Sequence, residues 1–443
     1  MIRRVILHHQ FGGLGGIETF FINLAVALKN TDKSVIMISP KDGYIQKACD
    51  RLGIEHIEDI NVSPPFKRNL GPSFYSKEEI SRLMKIGGKI NKDYSKNYGK
   101  TVCIAGNPLA LIEDSIIHRG ISQVFLCNGI FHPRTFVKLG RSLKSIALRN
   151  YDSLIRTTTR KDDERISHII RTLDYYHALW SMSDSCRKYN EVYFALQLKN
   201  TPTIPLIYDV NVEKNQILDN TKRKISALWI GRFTYFKVNE LLAVYDSLLK
   251  VSTRANVMIN MHIVGSGKRK YSKVLRKIIR STERVSVIFH GLVNHDSLSQ
   301  IVSTADIGVG MGLSTLETAS AGIATVVVPG GHKNWQDVNG VLFSDSNFDL
   351  GEQHYLEQVY GEKNISLRPL DELFFELLEE RIRKEEGARS RKAILENLSP
   401  KIILDRMINY LDQVELTPEI FTEETSELLA NKNLSRERMR DFA

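Results

Sequence analysis

The sequence predicts an α/β protein of two domains, each a doubly wound parallel sheet with helices on its faces. Three observations carry this. At 443 residues the chain is long enough to bury two separate cores. Near its start a short strand at residues 4–8 runs into the loop Gln10-Phe-Gly-Gly-Leu-Gly-Gly-Ile-Glu-Thr19, and residues 17–28 then place Phe21, Leu24, Ala25 and Leu28 at helical spacing. The same succession recurs at residues 305–329: a short apolar strand, glycines at 308, 310 and 312, a small-residue helix over 314–321 and an apolar strand over 324–328. Strand, glycine turn, helix and strand make half of a doubly wound nucleotide site.

Composition narrows the class. With 42% hydrophobic and 25% charged residues the chain reads as an ordinary globular protein. It has no apolar run of about 18 residues, and Arg3-Arg4 leads straight into a strand, so the expectation is a cytoplasmic protein or one held on the inner face of the cell membrane. Cys49, Cys103, Cys127 and Cys186 show neither metal-ligand spacing nor a paired framework and read as reduced, buried residues. A formal charge of +10 and a pI near 9.2 point to an anionic partner. Nucleic acid is not expected, since no binding motif accompanies the charge. An anionic membrane surface is the better partner: in residues 134–160, Arg134, Lys138, Arg141, Lys144, Arg149, Arg156 and Arg160 face only Asp152 and interleave with apolar residues. The competing reading of that segment is the solvated face of a soluble helix.

In chain order, a strand at 35–39, a helix at 44–52 and a strand at 55–60 follow the first glycine loop. Prolines mark 64–72 as a loop before a long polar helix at 77–97. Strands at 101–105 and 123–127 end in Gly106-Asn107 and Asn128-Gly129; ligands collect at such carboxyl ends, which makes both loops candidates for binding a substrate. His132 lies a turn beyond the second. A strand over 203–210 leads to a polar segment, which gives the division 1–210 for the first domain, 211–224 for a linker, 225–390 for the second domain and 391–443 for a terminal helix that crosses back plus a polar tail. In the second domain a buried strand ends at Gly231-Arg232, with Lys237 five residues on. Two fixed cations at one strand end suit a diphosphate, the arginine as a planar fork and the lysine as a point charge. Met261-His-Ile-Val-Gly-Ser-Gly267 is a further strand and glycine turn, followed by a basic helix over 268–280 and a strand over 285–289. In the stretch at 305–329, the first amides of the helix, at Leu313, Ser314, Thr315 and Leu316, can hold a phosphate, and the carboxylate of Glu317 one turn in can accept both hydroxyls of a ribose.

Val309-Gly-Met-Gly-Leu-Ser-Thr-Leu-Glu317 resembles the Glu-Gly-Phe-Gly-Leu-x-x-Leu-Glu signature of the family 4-like retaining glycosyltransferases, whose two Rossmann-like domains face each other across a cleft (the GT-B fold). Both glycines, both leucines and the second glutamate are in place; Val309 stands where the first glutamate would be. Gly231-Arg232 with Lys237 is similar to the family's Gly-Arg-x-x-x-x-Lys, the glycines at 265 and 267 to its Val-Gly-x-Gly, and Gly291-Leu-Val293 to its Gly-x-Val turn.

The resemblance implies transfer of a hexose from a nucleotide diphosphate sugar, UDP being the expected carrier, to a saccharide or polyprenyl-linked saccharide with retention, in bacterial surface polysaccharide synthesis such as O-antigen or capsule. It implies Arg232, Lys237 and His132 on the catalytic side. On the donor side it implies Gly15, Gly16, Gly231, Gly265, Gly291, Val293, Gly312, Leu313, Ser314, Thr315, Leu316 and Glu317. No cofactor beyond the donor is implied and no metal, since no Asp-x-Asp stands at a strand end. Two other readings stay open. Val309 and the displaced His132 favour a catalytically silent nucleotide- or glycan-binding partner protein, which the joint presence of Arg232, Lys237 and Glu317 opposes. A dinucleotide-binding dehydrogenase would also use the first glycine loop, but the strand at 35–39 ends without the acidic ribose ligand.

Overall fold

A computed structural model describes residues 2–10, 15–59, 77–91, 99–119, 121, 123–130, 160–208, 224–234, 237–330, 334–349 and 366–430. His132 and nearly all of the basic 134–160 segment lie outside the described residues, as do positions 211–223 of the expected linker. The chain divides into two compact units: residues 1–182, 186–204 and 404–443 form the first, and residues 183–185 and 205–403 the second.

The first unit is built on strands β1 (Ile2–His8), β2 (Ser34–Pro40), β3 (Glu55–Asp59), β4 (Lys100–Ala105), β5 (Val124–Ile130) and β6 (Leu179–Ser181). They pair in the order β3-β2-β1-β4-β5-β6, every pair parallel. Burial on both faces explains their near-continuous apolar runs: six of the seven β1 residues are buried. Helix α1 (Gly16–Lys29) covers the sheet with Phe21, Leu24, Ala25 and Leu28, the stripe that the periodicity predicts, and also buries Phe20. Helices α2 (Tyr44–Leu52), α3 (Lys77–Asn91), α4 (Pro108–Ile117), α5 (Arg160–Tyr175) and α6 (Asp184–Phe194) complete the first half of the chain. Residues 203–208 are not the expected strand; Thr203 makes a single bridge to Ser181, and the stretch after it carries no ladder. All four cysteines are free and buried, and burial drives the thiols of Cys49 (to about 11), Cys103 and Cys127 upward.

The second unit holds β7 (Lys224–Ile230), α7 (Val238–Ala255), β8 (Met258–Val264), α8 (Arg269–Ile278), β9 (Val285–Gly291), α9 (His295–Ser303), β10 (Ile307–Gly310), α10 (Leu313–Ser320), β11 (Ala324–Val327), β12 (Asn339–Leu342) and β13 (Arg368–Pro369). The sheet order is β13-β12-β11-β10-β7-β8-β9, parallel except for β12 against β11 and β13 against β12. Counted within the unit, its first five strands repeat the order 3-2-1-4-5 of the first sheet, so each half is doubly wound.

The C-terminal part differs from the expected terminal helix and polar tail. Three helices run in succession, α11 (Leu370–Glu376), α12 (Glu380–Asn397) and α13 (Pro400–Leu411), the last opened by Pro400. A last helix, α14 (Pro418–Ala430), follows where a polar tail was expected. Its Phe421 is 1% exposed and Thr425 is fully buried one turn on, a spacing that the surrounding acids mask in the sequence. Residues 404–430 belong with the first unit: Leu126 N–H donates to Leu416 O at 2.7 Å, Lys100 Nζ donates to the carbonyls of Asp412 and Val414, and the Tyr410 hydroxyl donates to Leu179 O. No described helix is long and apolar enough to cross a membrane.

Beneath the end of β1 lies a buried polar cluster. His8 Nδ1 is 2.8 Å from Asp114 Oδ1, its Nε2 is 3.5 Å from Glu113 Oε2, and all three side chains are inaccessible or nearly so. His118, one turn beyond Asp114 and fully buried, has no hydrogen-bond partner for either ring nitrogen among the described residues. Burial, and then the neighbouring His8, pull its pKa from 6.5 down to about 3. The unfolded chain protonates this ring near 6.5 while the folded one resists until about 3, so over that window the unfolded state binds more protons and stability falls as pH falls. Thermal midpoints measured across this range are expected to fall more steeply toward acid in the natural chain than in His118→Leu; parallel slopes would contradict the assignment.

Candidate functional site

In a doubly wound sheet the ligand crevice lies outside the carboxyl ends of the strands where the winding reverses. In the second unit that point falls between β7 and β10, which run parallel with Ala227 opposite Ile307 and Trp229 opposite Val309. The segments leaving them start side by side, since a Cβ built on Gly310 would lie 3.6 Å from Ile230 O.

Backbone hydrogen bonds then extend the sheet past its strands. Gly231 N–H donates to Val264 O at 2.9 Å, Phe233 N–H to Ser266 O at 2.8 Å and Gly265 N–H to Gly291 O at 2.8 Å, so the loops after β7, β8 and β9 are tied together. Two glycines make the approach possible. A Cβ on Gly265 would fall 2.0 Å from Gly231 O, and Gly265 holds φ +135; a Cβ on Gly267 would fall 2.1 Å from Phe233 O. Phe233, 3% exposed, plugs the loop into the core. Arg232 stands between these anchors and is exposed. Lys237 caps α7, with its N–H on Thr234 O at 3.0 Å, and its side chain folds back over the strand end. The position a Gly231 Cβ would take is 3.5 Å from Lys237 Nζ and 3.2 Å from Trp229 Nε1.

The glycines of the β10–α10 turn have distinct jobs. A Cβ on Gly308 would meet Thr318 at 2.4 Å and one on Gly310 would meet the Ser314 hydroxyl at 2.5 Å, so these two let α10 lie on its strand. Gly312 alone supplies an unusual backbone, φ +66 at the N-cap, with open space around its missing side chain. The Ser314 hydroxyl donates to Met311 O at 2.9 Å, and the Thr315 N–H and hydroxyl both turn to Gly312 O. These two side chains serve the turn. Of the amides predicted to hold phosphate, Leu313 and Ser314 open the helix, whereas that of Thr315 is engaged.

Leu316 is fully buried, and Glu317 beside it is 9% exposed. The Tyr208 hydroxyl donates to Glu317 Oε2 at 2.6 Å. Sequence reasoning did not connect the two residues: Tyr208 ends the apolar run Ile204-Pro-Leu-Ile-Tyr208, and nothing local marks it as the partner of a carboxylate. Val309, where the family signature has its first glutamate, is 3% exposed in the core cluster that includes Ala227, Trp229 and Met311.

At the far end of the row, Gly291 takes φ +74 and Val293 packs on a small apolar cluster with Leu228, Val264 and Ala305. Two histidines that the sequence did not single out meet here. His262 Nδ1 and His290 Nε2 are 3.0 Å apart with the rings stacked, and burial lowers the pKa of both, His290 adding to the effect on His262. A neutral, hydrogen-bonded pair thus borders the predicted base turn. In the first unit, Gly15 caps α1 with extended backbone, its carbonyl taken by the Thr19 N–H and hydroxyl, and Gly16 begins the helix. His9 Nε2 lies 3.4 Å from Glu18 Oε1 nearby. Among the described residues no group of three or more His, Cys, Asp or Glu side chains is placed to hold a metal ion.

Two doubly wound units in one chain, with cations and a capped helix at a switch point, define a GT-B fold. Residues 224–352 match the family model described as Glycosyl transferases group 1. No curated protein sequence matches the chain. Among solved structures, the chain is similar to a glycosyltransferase from Rickettsia africae ESF-5 (12% identity, TM-score 0.58, covering 93% of this chain and 98% of that one). It is also similar to Anabaena HepE in complex with UDP-glucose (13%, TM-score 0.60, 92% and 99%) and to an S. aureus TarM mutant in complex with fondaparinux, alpha-GlcNAc-glycerol and UDP (13%, TM-score 0.59, 93% and 100%). At such identities the likeness is one of fold.

Two outcomes follow from this geometry. Gly265→Ala must strain its own backbone and push Gly231 O away, so a loss of about 1–3 kcal/mol in denaturant unfolding is expected; unchanged stability would show that the loops are not locked at this contact. Val309→Glu buries a carboxylate in an apolar cluster and is expected to cost about 3 kcal/mol or more. Full stability of that variant would mean the side chain can turn out of the core.

Proposed function

We propose that the protein is a glycosyltransferase moving a hexose from a UDP-linked donor to a saccharide or polyprenyl-linked saccharide, with retention, in the synthesis of a bacterial surface polysaccharide such as O-antigen or capsule. The observation that carries this reading is the junction of the β7 and β10 loops, where the Lys237 ammonium lies back over Gly231 and Gly310 passes beside Ile230. The match of residues 224–352 to a glycosyltransferase family model supports it, and structural neighbours of the same fold hold UDP or UDP-glucose.

On this reading Arg232, Lys237 and the amides at the start of α10 bind the donor phosphates, Glu317 the ribose, and the turn from Gly291 to Val293 the base; Gly15, Gly16 and His132 keep the roles that the resemblance implies. The bond between the anomeric carbon and the phosphate oxygen breaks, the acceptor oxygen bonds to the same face of that carbon, and the acceptor proton passes to the departing phosphate. The fixed cations stabilise charge as it develops on the leaving group without solvent rearrangement, so no metal is required. The acceptor class fits a protein working at the inner face of the membrane. Val309 favours a second reading, a silent donor-binding protein of the same fold.

One set of measurements separates them. Incubation with a panel of UDP-hexoses is expected to release UDP from at least one, equally with and without EDTA, and Glu317→Ala is expected to weaken binding of that donor by about 1–3 kcal/mol. Donor binding without any release favours the silent reading; unchanged affinity in the Glu317 variant overturns the ribose assignment.

A further inference from the structure

We infer that α8 and its flanks form a docking surface for an anionic lipid bilayer. Between residues 268 and 284 stand eight cations, Lys268, Arg269, Lys270, Lys273, Arg276, Lys277, Arg280 and Arg284, against the one acid Glu283, so seventeen residues hold a net +7 of the chain's +10. Helical spacing sorts them. Leu275 and Ile279 are 1% and 2% exposed in the core, with Tyr271 packed beside them. At about 100° per residue Lys273 and Lys277 point opposite that stripe. Val274 and Ile278 fall on one flank and are 44% and 51% exposed.

A solvated helix in this protein looks different. α12 is also rich in cations, but pairs them along its surface: Arg381 with Glu385, Lys384 with Glu380, Lys392 with Glu396 and Arg389 with Glu386. Among the described residues none of the eight cations around α8 makes an ion pair. Arg276 stacks on Phe289 at 4.5 Å, which fixes the helix to β9, the outermost strand of the sheet, and leaves Lys268, Arg269, Lys273, Lys277 and Arg280 exposed. Unneutralised cations beside two exposed aliphatic side chains are the surface of a helix lying in the headgroup plane: the lysines reach the phosphates while Val274 and Ile278 enter the acyl boundary. A nucleic-acid backbone would use the charge and have no use for the aliphatic flank. The surface adds a second membrane contact to the one expected of residues 134–160 and rests on none of the transferase chemistry.

The test is sedimentation of the full chain with phosphatidylcholine vesicles with and without phosphatidylglycerol. Binding is expected only to the anionic vesicles, and to fall at least about tenfold in Lys273→Glu/Lys277→Glu/Arg280→Glu. Val274→Ser/Ile278→Ser is expected to bind at low salt and to detach as salt rises, because screening removes the remaining attraction. Unaltered vesicle binding in the charge variant overturns the proposal, as does loss of binding only when Arg141, Lys144 and Arg149 are reversed instead. Tighter binding to RNA or duplex DNA than to anionic vesicles also overturns it. UDP binding, measured on every variant, reports that the fold is intact and tests the transferase reading separately.

Discussion

Backbone packed against backbone at the ends of β7 and β8 is the constraint on which the candidate site depends. Gly231 O occupies the space where Gly265 would carry a side chain, and Phe233 O does the same at Gly267. Contacts this close leave the loop after β7 one path, and that path decides where Arg232 leaves the surface and where α7 begins. Lys237 is therefore placed twice over, by its capping position on α7 and by the reach of its side chain back to Gly231. A cation held by main-chain geometry needs little reorganisation when an anion arrives, which is the property that makes preorganised charge effective.

Much of this was legible in the sequence because it is local. Strand, glycine and helix follow one another within about a dozen residues, and the apolar periods at 17–28 and 225–230 reappear as buried faces. The roles within the glycine turn were less legible. A glycine written for helix packing, such as Gly308 against Thr318, looks the same on the page as one written for a left-handed backbone, such as Gly312. Only the fold tells a steric requirement from a conformational one.

What the sequence hid is long-range. Tyr208 and Glu317 are 109 positions apart, and the ladder that would reveal His262 beside His290 exists only once β8 and β9 pair. The last helix was concealed for another reason. Among its described side chains Phe421 and then Thr425 face inward, and its acids read as a solvated tail until helices α4 and α5 of the first unit supply the other half of the contact.

The bond between Tyr208 and Glu317 bears on the proposed chemistry in a way a surface carboxylate would not. A carboxylate has about four lone-pair sites, so a phenol at Oε2 orients the group without exhausting it as an acceptor for a ribose diol. Burial at 9% exposure makes that orientation matter more, because an acidic side chain taken out of water must be held by donors or lose its charge. Tyr208 comes from the stretch that enters the second unit, ahead of β7, while Glu317 rides on α10 beyond the switch point. The entry to the second unit and the helix beyond its switch point are thereby fastened at the residue on which the ribose assignment rests, and the candidate site is stiffened by the same hydrogen bond that orients its carboxylate.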